Sequence, residues 1–141
     1  MDNKMTIKFS ALAENEQFAR TAVAAFMMSL DPTVEAITDV KTAVSEAVTN
    51  SIIHGYCGKD GVVSVSCEIK DGTLHIEVAD DGVGIKNLDE VLEPFVTSKA
   101  CDERSGMGFT IMKTFMDGFE VRSEENRGTV VSMSKIIGKA S

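Results

Sequence analysis

The amino-acid sequence predicts an α/β fold, an α+β two-layer sandwich in which a mixed, mostly antiparallel sheet carries helices on one face. Three segments repeat apolar residues at helical spacing, and two segments of alternating apolar residues are joined by Asp71-Gly72, which is typical of a β-hairpin. The 141 residues are 43% hydrophobic and 26% charged, a composition typical of globular proteins. We therefore expect a single domain over residues 1–141.

The breaks between elements are predicted by particular residues. Pro32 cannot continue a helical hydrogen-bond ladder, and Thr33 is suited to cap the helix that follows it. Gly55 is expected to end that helix in a left-handed conformation. The predicted elements are a strand over 6–11, helices over 14–30 and 34–54, hairpin strands over 63–69 and 74–78, a third helix over 108–117, and closing strands over 119–122 and 129–136.

The overall charge limits the classes of partner. A formal net charge of −8 and an isoelectric point near 4.7 create a mean field that repels nucleic acids and anionic membranes. The first residues lack the apolar core of a signal peptide, and no apolar run is long enough to span a membrane. We expect a cytoplasmic protein that binds neither nucleic acid nor membrane.

The three cysteines are Cys57, Cys67 and Cys101. Their number is odd and their spacing contains no C-x-x-C pair, so the sequence indicates neither a disulfide framework nor a zinc site. We expect three free thiols, with Cys67 buried on the apolar side of a strand.

Glu46 and Asn50 lie one turn apart on the predicted second helix and therefore project from the same face. An amide oxygen is a suitable ligand for Mg²⁺, which keeps water and phosphate oxygens as its other ligands. The neighbouring carboxylate would then be free to accept a proton. The same spacing is also typical of two solvated residues, so context has to decide between these interpretations.

The strand over 74–79 ends in the motif Asp80-x-Gly82-x-Gly84. A carboxylate held at a pocket wall can accept a hydrogen bond from the exocyclic amine of adenine, whereas guanine presents a carbonyl oxygen there. Glycines in such a turn would let a ligand approach the backbone. The competing interpretation is an ordinary Asp-Gly turn after a strand.

Residues 82–106 form a long polar excursion, which predicts a mobile lid. Gly106 and Gly108 lead from it into the third helix, whose unpaired amides could hold triphosphate oxygens. Lys99 and Arg104 could supply positive charge to the terminal phosphate during its transfer. The chain contains neither a Walker A loop nor the dinucleotide-binding fingerprint of the Rossmann fold.

The order of these motifs, completed by Gly128-Thr129, resembles the ATPase fold shared by gyrase, Hsp90, histidine kinases and MutL. Each motif is weak alone, and their combination is specific. Longer segments extend the match to the sporulation anti-sigma factor family, which the chain resembles nearly end to end. These segments are residues 15–20, 46–56, 93–99 and 103–112.

This resemblance implies a homodimeric serine/threonine-protein kinase that uses Mg·ATP and yields ADP. It implies that the protein binds and inhibits sporulation sigma F and phosphorylates a serine of an anti-anti-sigma factor. The resemblance further implies that phosphorylation of this partner decides whether sigma F is released or recaptured.

The resemblance also implies roles for individual residues. Glu46 matches the catalytic base, Asn50 the Mg²⁺ ligand and Asp80 the adenine reader. Thr129 matches a residue that supports the adenine contact, and Arg20 matches a surface position that holds sigma F. Arg104 is the second catalytic residue expected. The nucleotide-binding residues expected are Asn50, Asp80, Gly82, Gly84, Thr97, Ser98, Lys99, Gly106, Met107, Gly108 and Thr129.

Two other functions remain alternatives. In the first, ATP only orders the lid and thereby changes the affinity for a protein partner, without phosphotransfer. In the second, the chain is a detached histidine-kinase catalytic domain. The start of the first helix near residue 14 disfavours the second alternative, because it leaves no room for a phosphoacceptor hairpin.

Overall fold

A computed structural model describes residues 2–85 and 107–137, and within these ranges it contains a five-stranded sheet and three α-helices. The predicted lid lies outside the described residues from residue 86 onward. The strands are β1 (Asn3–Ser10), β2 (Val62–Lys70), β3 (Thr73–Asp80), β4 (Gly118–Glu124) and β5 (Gly128–Ile136). The helices are α1 (Asn15–Phe26), α2 (Val34–Asn50) and α3 (Gly108–Phe115).

The sheet has the strand order β1-β2-β3-β5-β4. Every pairing among the described strands is antiparallel. This agrees with the mostly antiparallel sheet predicted from the sequence. The central strand is β3, and its last residue, Asp80, pairs with Val63 of β2 and Thr129 of β5. Residues 80–85, here called the Asp80 turn, therefore begin at the end of the strand that lies in the middle of the sheet.

The predicted hairpin turn at Asp71-Gly72 is confirmed, and its backbone has the conformation typical of a two-residue hairpin turn. Asp71 has φ of 51° and Gly72 has φ of 75°, so both residues lie in the left-handed region. Two such residues match the right-handed twist of the flanking strands. They join β2 directly to β3.

The helices cover one face of the sheet. Along β3, Leu74, Ile76 and Val78 are buried, whereas His75 and Glu77 between them are exposed. The buried side chains of the strands form one cluster with those of the helices, as expected for two layers around a single core. The fully buried members on α2 are Val40, Ala43, Val44, Ala47 and Val48.

Both long helices change their hydrogen-bond pattern near their C-terminal ends. The first becomes a 3₁₀ turn over Met27–Leu30, and the second becomes a π-helical turn over Ser51–Gly55. The predicted left-handed stop at Gly55 is wrong, because the positive φ values occur at Cys57 (53°) and Gly58 (78°). Glycine at position 55 instead leaves room for the Asp80 carboxylate, because a Cβ there would lie 2.9 Å from Asp80 Oδ1.

The cysteines differ from the expectation of three free thiols. Cys67 is free and buried, and burial raises the pKa of its thiol to about 12. Cys57 is in a disulfide bond, so that expectation is wrong for this residue. Spacing along the chain could not reveal the bond, because pairing requires two sulfur atoms to be brought together by the fold.

Candidate functional site

The start of α3 lies against Glu46 and Asn50. Both side chains are half-buried on α2, one turn apart as predicted. A Cβ added to Gly108 would lie 2.9 Å from Asn50 Nδ2, 3.2 Å from Asn50 Oδ1 and 3.3 Å from Glu46 Oε2. A larger residue at this position would push the amide and the carboxylate apart. The fold thus brings three of the predicted site residues together.

These residues fit a magnesium ion shared with a nucleotide better than a metal held by protein alone. Within residues 2–85 and 107–137, no group of three His, Cys, Asp or Glu side chains could hold a metal. Asn50 offers one amide oxygen in a space that even a methyl group at Gly108 would crowd. Mg²⁺ accepts such a site because water and phosphate oxygens complete its octahedral coordination.

Asp80 is buried to 7% exposure at the end of β3. Its pKa is raised from 3.8, first by desolvation and also by the charge of Asp81, while three hydrogen bonds oppose this rise. The donors are the backbone amide of Gly82, 2.9 Å from Oδ1, the hydroxyl of Ser51, and the backbone amide of Thr129. The carboxyl group is therefore held in one orientation by three separate parts of the chain.

The glycines of the Asp80 turn contact protein backbone. A Cβ at Gly82 would overlap the carbonyl oxygen of Gly55, and a Cβ at Gly84 would overlap that of Glu124. Val83 also donates its amide to the Gly55 carbonyl oxygen at 2.8 Å. The sequence predicted glycines that admit a ligand. The structure supplies a further reason for them: Gly82 lets the turn pack against the π-helical end of α2, and Gly84 lets it pack against the end of β4.

Thr129 touches the site through its backbone, and its side chain points to β4. Its amide donates to the Asp80 carboxylate, and its Oγ1 lies 2.8 Å from Ser123 Oγ. Ser123 in turn accepts the amide of Ile85 at 2.8 Å. This network connects β5, β4 and the end of the Asp80 turn.

Ser51 and Tyr56 contribute to the site and were not predicted to do so. Ser51 is a buried polar residue that follows the buried apolar stripe of α2, and its side chain donates a hydrogen bond to Asp80. Its presence in an otherwise apolar stripe was the available signal. Tyr56 places its hydroxyl 2.9 Å from the backbone amide of Asp81. It is the chain's single tyrosine, and no spacing rule points to it.

Arg20, the predicted partner-binding residue, lies on α1. Its Nε is 3.3 Å from Glu16 Oε2, an ion-pair contact short of hydrogen-bond geometry, and its side chain is 38% exposed. The other oxygen of Glu16 accepts a 2.6 Å hydrogen bond from Ser45 of α2. Glu16 therefore contacts both Arg20 on α1 and Ser45 on α2, the helix that also carries Glu46.

Several predicted site residues cannot be placed. Thr97, Ser98, Lys99, Arg104 and Gly106 lie outside the described residues, and their roles stay predictions. Met107 is described, immediately before α3, where its carbonyl oxygen accepts the amide of Ile111 at 2.8 Å.

Among the helices that the structure describes, none is both long and apolar enough to cross a lipid bilayer.

Comparison with known proteins gives a consistent result. The family of histidine kinase-like ATPase domains matches residues 9–135, and membership of such a family implies nucleotide binding. The chain is 54% identical over 140 residues to an anti-sigma F factor of Clostridium kluyveri, covering 99% of both chains. It is 57% identical over 136 residues to that of Clostridium perfringens, covering 96% of this chain and 97% of the relative.

Solved structures with low sequence identity show the same fold. The RsbU and RsbW domains of a Mycobacterium tuberculosis protein superpose with a TM-score of 0.69 at 15% identity, covering 99% of this chain and 34% of theirs. The catalytic domain of the histidine kinase ThkA superposes with a TM-score of 0.61 at 16% identity, covering 95% of this chain and 97% of its own. The chain therefore belongs to the anti-sigma F factor family, within the histidine kinase-like ATPases.

Proposed function

We propose that this protein binds and inhibits sporulation sigma F and uses Mg·ATP to phosphorylate a serine of an anti-anti-sigma factor. The observation that carries the proposal is the meeting of Glu46, Asn50 and Gly108 at the junction of α2 and α3. The name of the relatives, anti-sigma F factor, supports the sigma partner. We also propose that the chain is a single cytoplasmic domain that acts as a homodimer.

Glu46 is the general base in this proposal. Its Oε2 lies beside the start of α3, within the same small space as the Asn50 amide. In the proposed reaction Glu46 accepts the serine proton, the serine oxygen bonds to the terminal phosphorus, and the bond to the bridging oxygen of ADP breaks.

Asn50 and Asp80 would bind opposite ends of the nucleotide. Asn50 would hold the magnesium ion, which when bound neutralises phosphate charge. Asp80, fixed by Ser51, Gly82 and Thr129, would accept a hydrogen bond from the exocyclic amine of adenine. A held acceptor discriminates more strongly than a mobile one, because a guanine carbonyl facing it leaves two acceptors unpaired.

The substitution Glu46→Gln tests the catalytic proposal. It retains the size of the side chain and removes its basicity, so we expect ATP affinity within about threefold of wild type and phosphotransfer reduced at least about a hundredfold. Mass spectrometry of the anti-anti-sigma factor after incubation with Mg·ATP measures transfer, and calorimetry measures binding. Glu68→Gln is the matched control and should transfer normally, because Glu68 is a half-buried carboxylate on β2 that pairs with Lys4.

The same assay separates the kinase from its main alternative. A nucleotide-gated binding module would change its affinity for the partner with ATP and leave the partner's mass unchanged. Wild-type protein that produces no phosphorylated partner would support the module. A Glu46→Gln variant that phosphorylates at the wild-type rate would show that Glu46 is not the base.

Arg20→Ala tests the sigma-binding surface. We expect affinity for sigma F to fall at least about tenfold, since a charged contact at an interface contributes several kcal/mol when it is desolvated. Arg122→Ala removes an arginine that is 64% exposed on β4 and should leave the affinity unchanged. Equal affinities of the two variants, measured by surface plasmon resonance, would remove Arg20 from the interface.

A further inference from the structure

Tyr56 joins the Asp80 turn to the sheet through one hydroxyl group. The hydroxyl donates to the carbonyl oxygen of Val62 at 2.6 Å and accepts the backbone amide of Asp81 at 2.9 Å. Val62 is the first residue of β2, and Asp81 directly follows the last residue of β3. The hydroxyl thus links the entrance of one strand to the exit of its neighbour.

The ring of Tyr56 is itself held in place. A Cβ added to Gly61 would overlap the ring, so the ring lies directly on the backbone there. The backbone amide of Tyr56 donates to the carbonyl oxygen of Ser51 at 3.1 Å, which closes the π-helical turn. The hydroxyl therefore has little freedom to move away from its two partners.

The bond to Asp81 acts on Asp80 through the backbone. The amide of Asp81 belongs to the peptide group that follows Asp80, and the next amide, that of Gly82, donates to Asp80 Oδ1 at 2.9 Å. Each peptide group is planar, so only the φ and ψ rotations of Asp81 separate the peptide group held by Tyr56 from the one that donates to Asp80. The orientation of the Asp80 carboxyl group thus depends on the hydroxyl of Tyr56.

We propose that Tyr56 is a positioning residue for nucleotide selection: its hydroxyl holds the Asp81 peptide so that Asp80 presents a fixed acceptor to adenine. This inference rests on the proposed function, specifically on adenine recognition by Asp80. A residue that only stabilised the fold would change affinity for every nucleotide equally. A residue that orients the acceptor changes the preference between adenine and guanine.

Tyr56→Phe is the direct test, because it keeps the ring against Gly61 and removes both hydrogen bonds. We expect ATP affinity to fall about tenfold and GTP affinity to change less than about twofold, so that the ATP-to-GTP preference falls. Calorimetry measures ATP binding, and displacement of a fluorescent ATP analogue measures GTP. Thr42→Val, which removes a hydroxyl that donates to the Thr38 carbonyl oxygen at 2.8 Å, should leave the preference unchanged.

A second measurement needs no substitution. Because the chain contains 1 tyrosine, protein labelled with 3-fluorotyrosine gives a single ¹⁹F resonance that reports on Tyr56. We expect this resonance to move when Mg·ATP saturates the protein and to move less with Mg·GTP. This experiment remains informative even when Tyr56→Phe folds poorly.

The outcomes separate this inference from the proposal on which it rests. Wild-type ATP preference in Tyr56→Phe, or a ¹⁹F resonance that ATP binding leaves unmoved, overturns the positioning role alone. Wild-type protein that binds no ATP overturns the proposed function and this inference together.

Discussion

The two halves of α2 are built differently. Thr33 caps the N-terminal end by accepting the amide of Ala36 at 3.0 Å, and Asp39 on the first turns pairs with Lys135 of β5 at 3.1 Å. The C-terminal half carries the half-buried Glu46 and Asn50 and then changes to a π-helical turn. One helix thus begins as a regular, capped structural element and ends in an irregular turn at the candidate site.

The irregular end is what brings the site together. The π-helical turn directs Ser51 towards Asp80 and places the Gly55 carbonyl oxygen against the amide of Val83. A regular helix would direct its carbonyl groups along its own axis. π-Helical turns are often found at functional sites, and here the carbonyl oxygen of Gly55, the last residue of the turn, accepts the amide of Val83.

Gly82→Ala should have the largest effect, because it breaks the contact between the irregular end and the Asp80 turn. Its Cβ would overlap the Gly55 carbonyl oxygen, and we expect a stability loss of about 3 kcal/mol together with loss of ATP binding. Urea unfolding measures the first and calorimetry the second. Gly58→Ala is the control: it has φ of 78° and no neighbour within 4 Å, so backbone strain alone should cost about 1 kcal/mol. Equal losses in the two variants would contradict the role of the contact.

Lys135→Met removes the ion pair that anchors the regular half. Lys135 Nζ lies 3.1 Å from Asp39 Oδ2 and 2.6 Å from the Phe115 carbonyl oxygen, with side-chain exposures of 16% and 19% for the pair. We expect a stability loss of about 2 kcal/mol in urea unfolding, since an unpaired carboxylate remains half-buried.

The control for this pair is Lys4→Met. Lys4 and Glu68 are separated by 3.4 Å and are 76% and 37% exposed, so this change should cost less than about 0.5 kcal/mol. Folded Lys135→Met should bind ATP within about threefold of wild type. A larger loss of affinity would show that the regular half also positions the site.

Thr33→Ala sharpens the comparison at the beginning of α2. Loss of the cap on the Ala36 amide should reduce stability by about 1 kcal/mol. Thermal unfolding measures this loss. Thr38→Ala on the same helix removes only a bond to the Val34 carbonyl oxygen and should stay within about 0.5 kcal/mol of wild type. Similar shifts of the unfolding midpoint would argue against capping as the cause.

The smallest effect concerns the pH dependence of Asp80. In the folded protein, burial raises the pKa of Asp80 above its ordinary value of 3.8. Between these two pKa values, the folded state therefore binds a proton that the unfolded chain has released. The stability from this proton is fully present below pH 3.8 and is lost as pH rises through the folded pKa. Asp80→Asn lacks this group. The difference in unfolding free energy, wild type minus variant, should therefore decrease as pH rises through this window.

Urea unfolding of both proteins at a series of pH values measures this difference. The expected change is small because the amides of Gly82 and Thr129 and the hydroxyl of Ser51 oppose the effect of burial. An increase of the difference with pH would show that these hydrogen bonds outweigh desolvation.

The regular elements could be predicted from the sequence because they follow from local periodicity. Alternating apolar residues predicted β2 and β3, and Asp71-Gly72 predicted the turn between them. The four-residue separation of Glu46 and Asn50 placed them on one helix face. These features depend on residues that are close to one another in the sequence.

The irregular parts could not be predicted in the same way. The sequence suggested a helix through residue 54 with a left-handed end at Gly55, whereas the helix becomes a π-helical turn after Asn50. The disulfide at Cys57 was also missed. Each of these features is decided by a group that approaches from elsewhere in the fold.

The sequence by itself determined which chemical groups are available and which helix face or strand end carries them. Only the tertiary structure decided that Gly108 closes on Glu46 and Asn50, and that Ser51 and Thr129 hold Asp80. The physical reason is the range of the interactions: side-chain periodicity is a local property of the backbone, whereas these contacts join segments that only the packed core brings together.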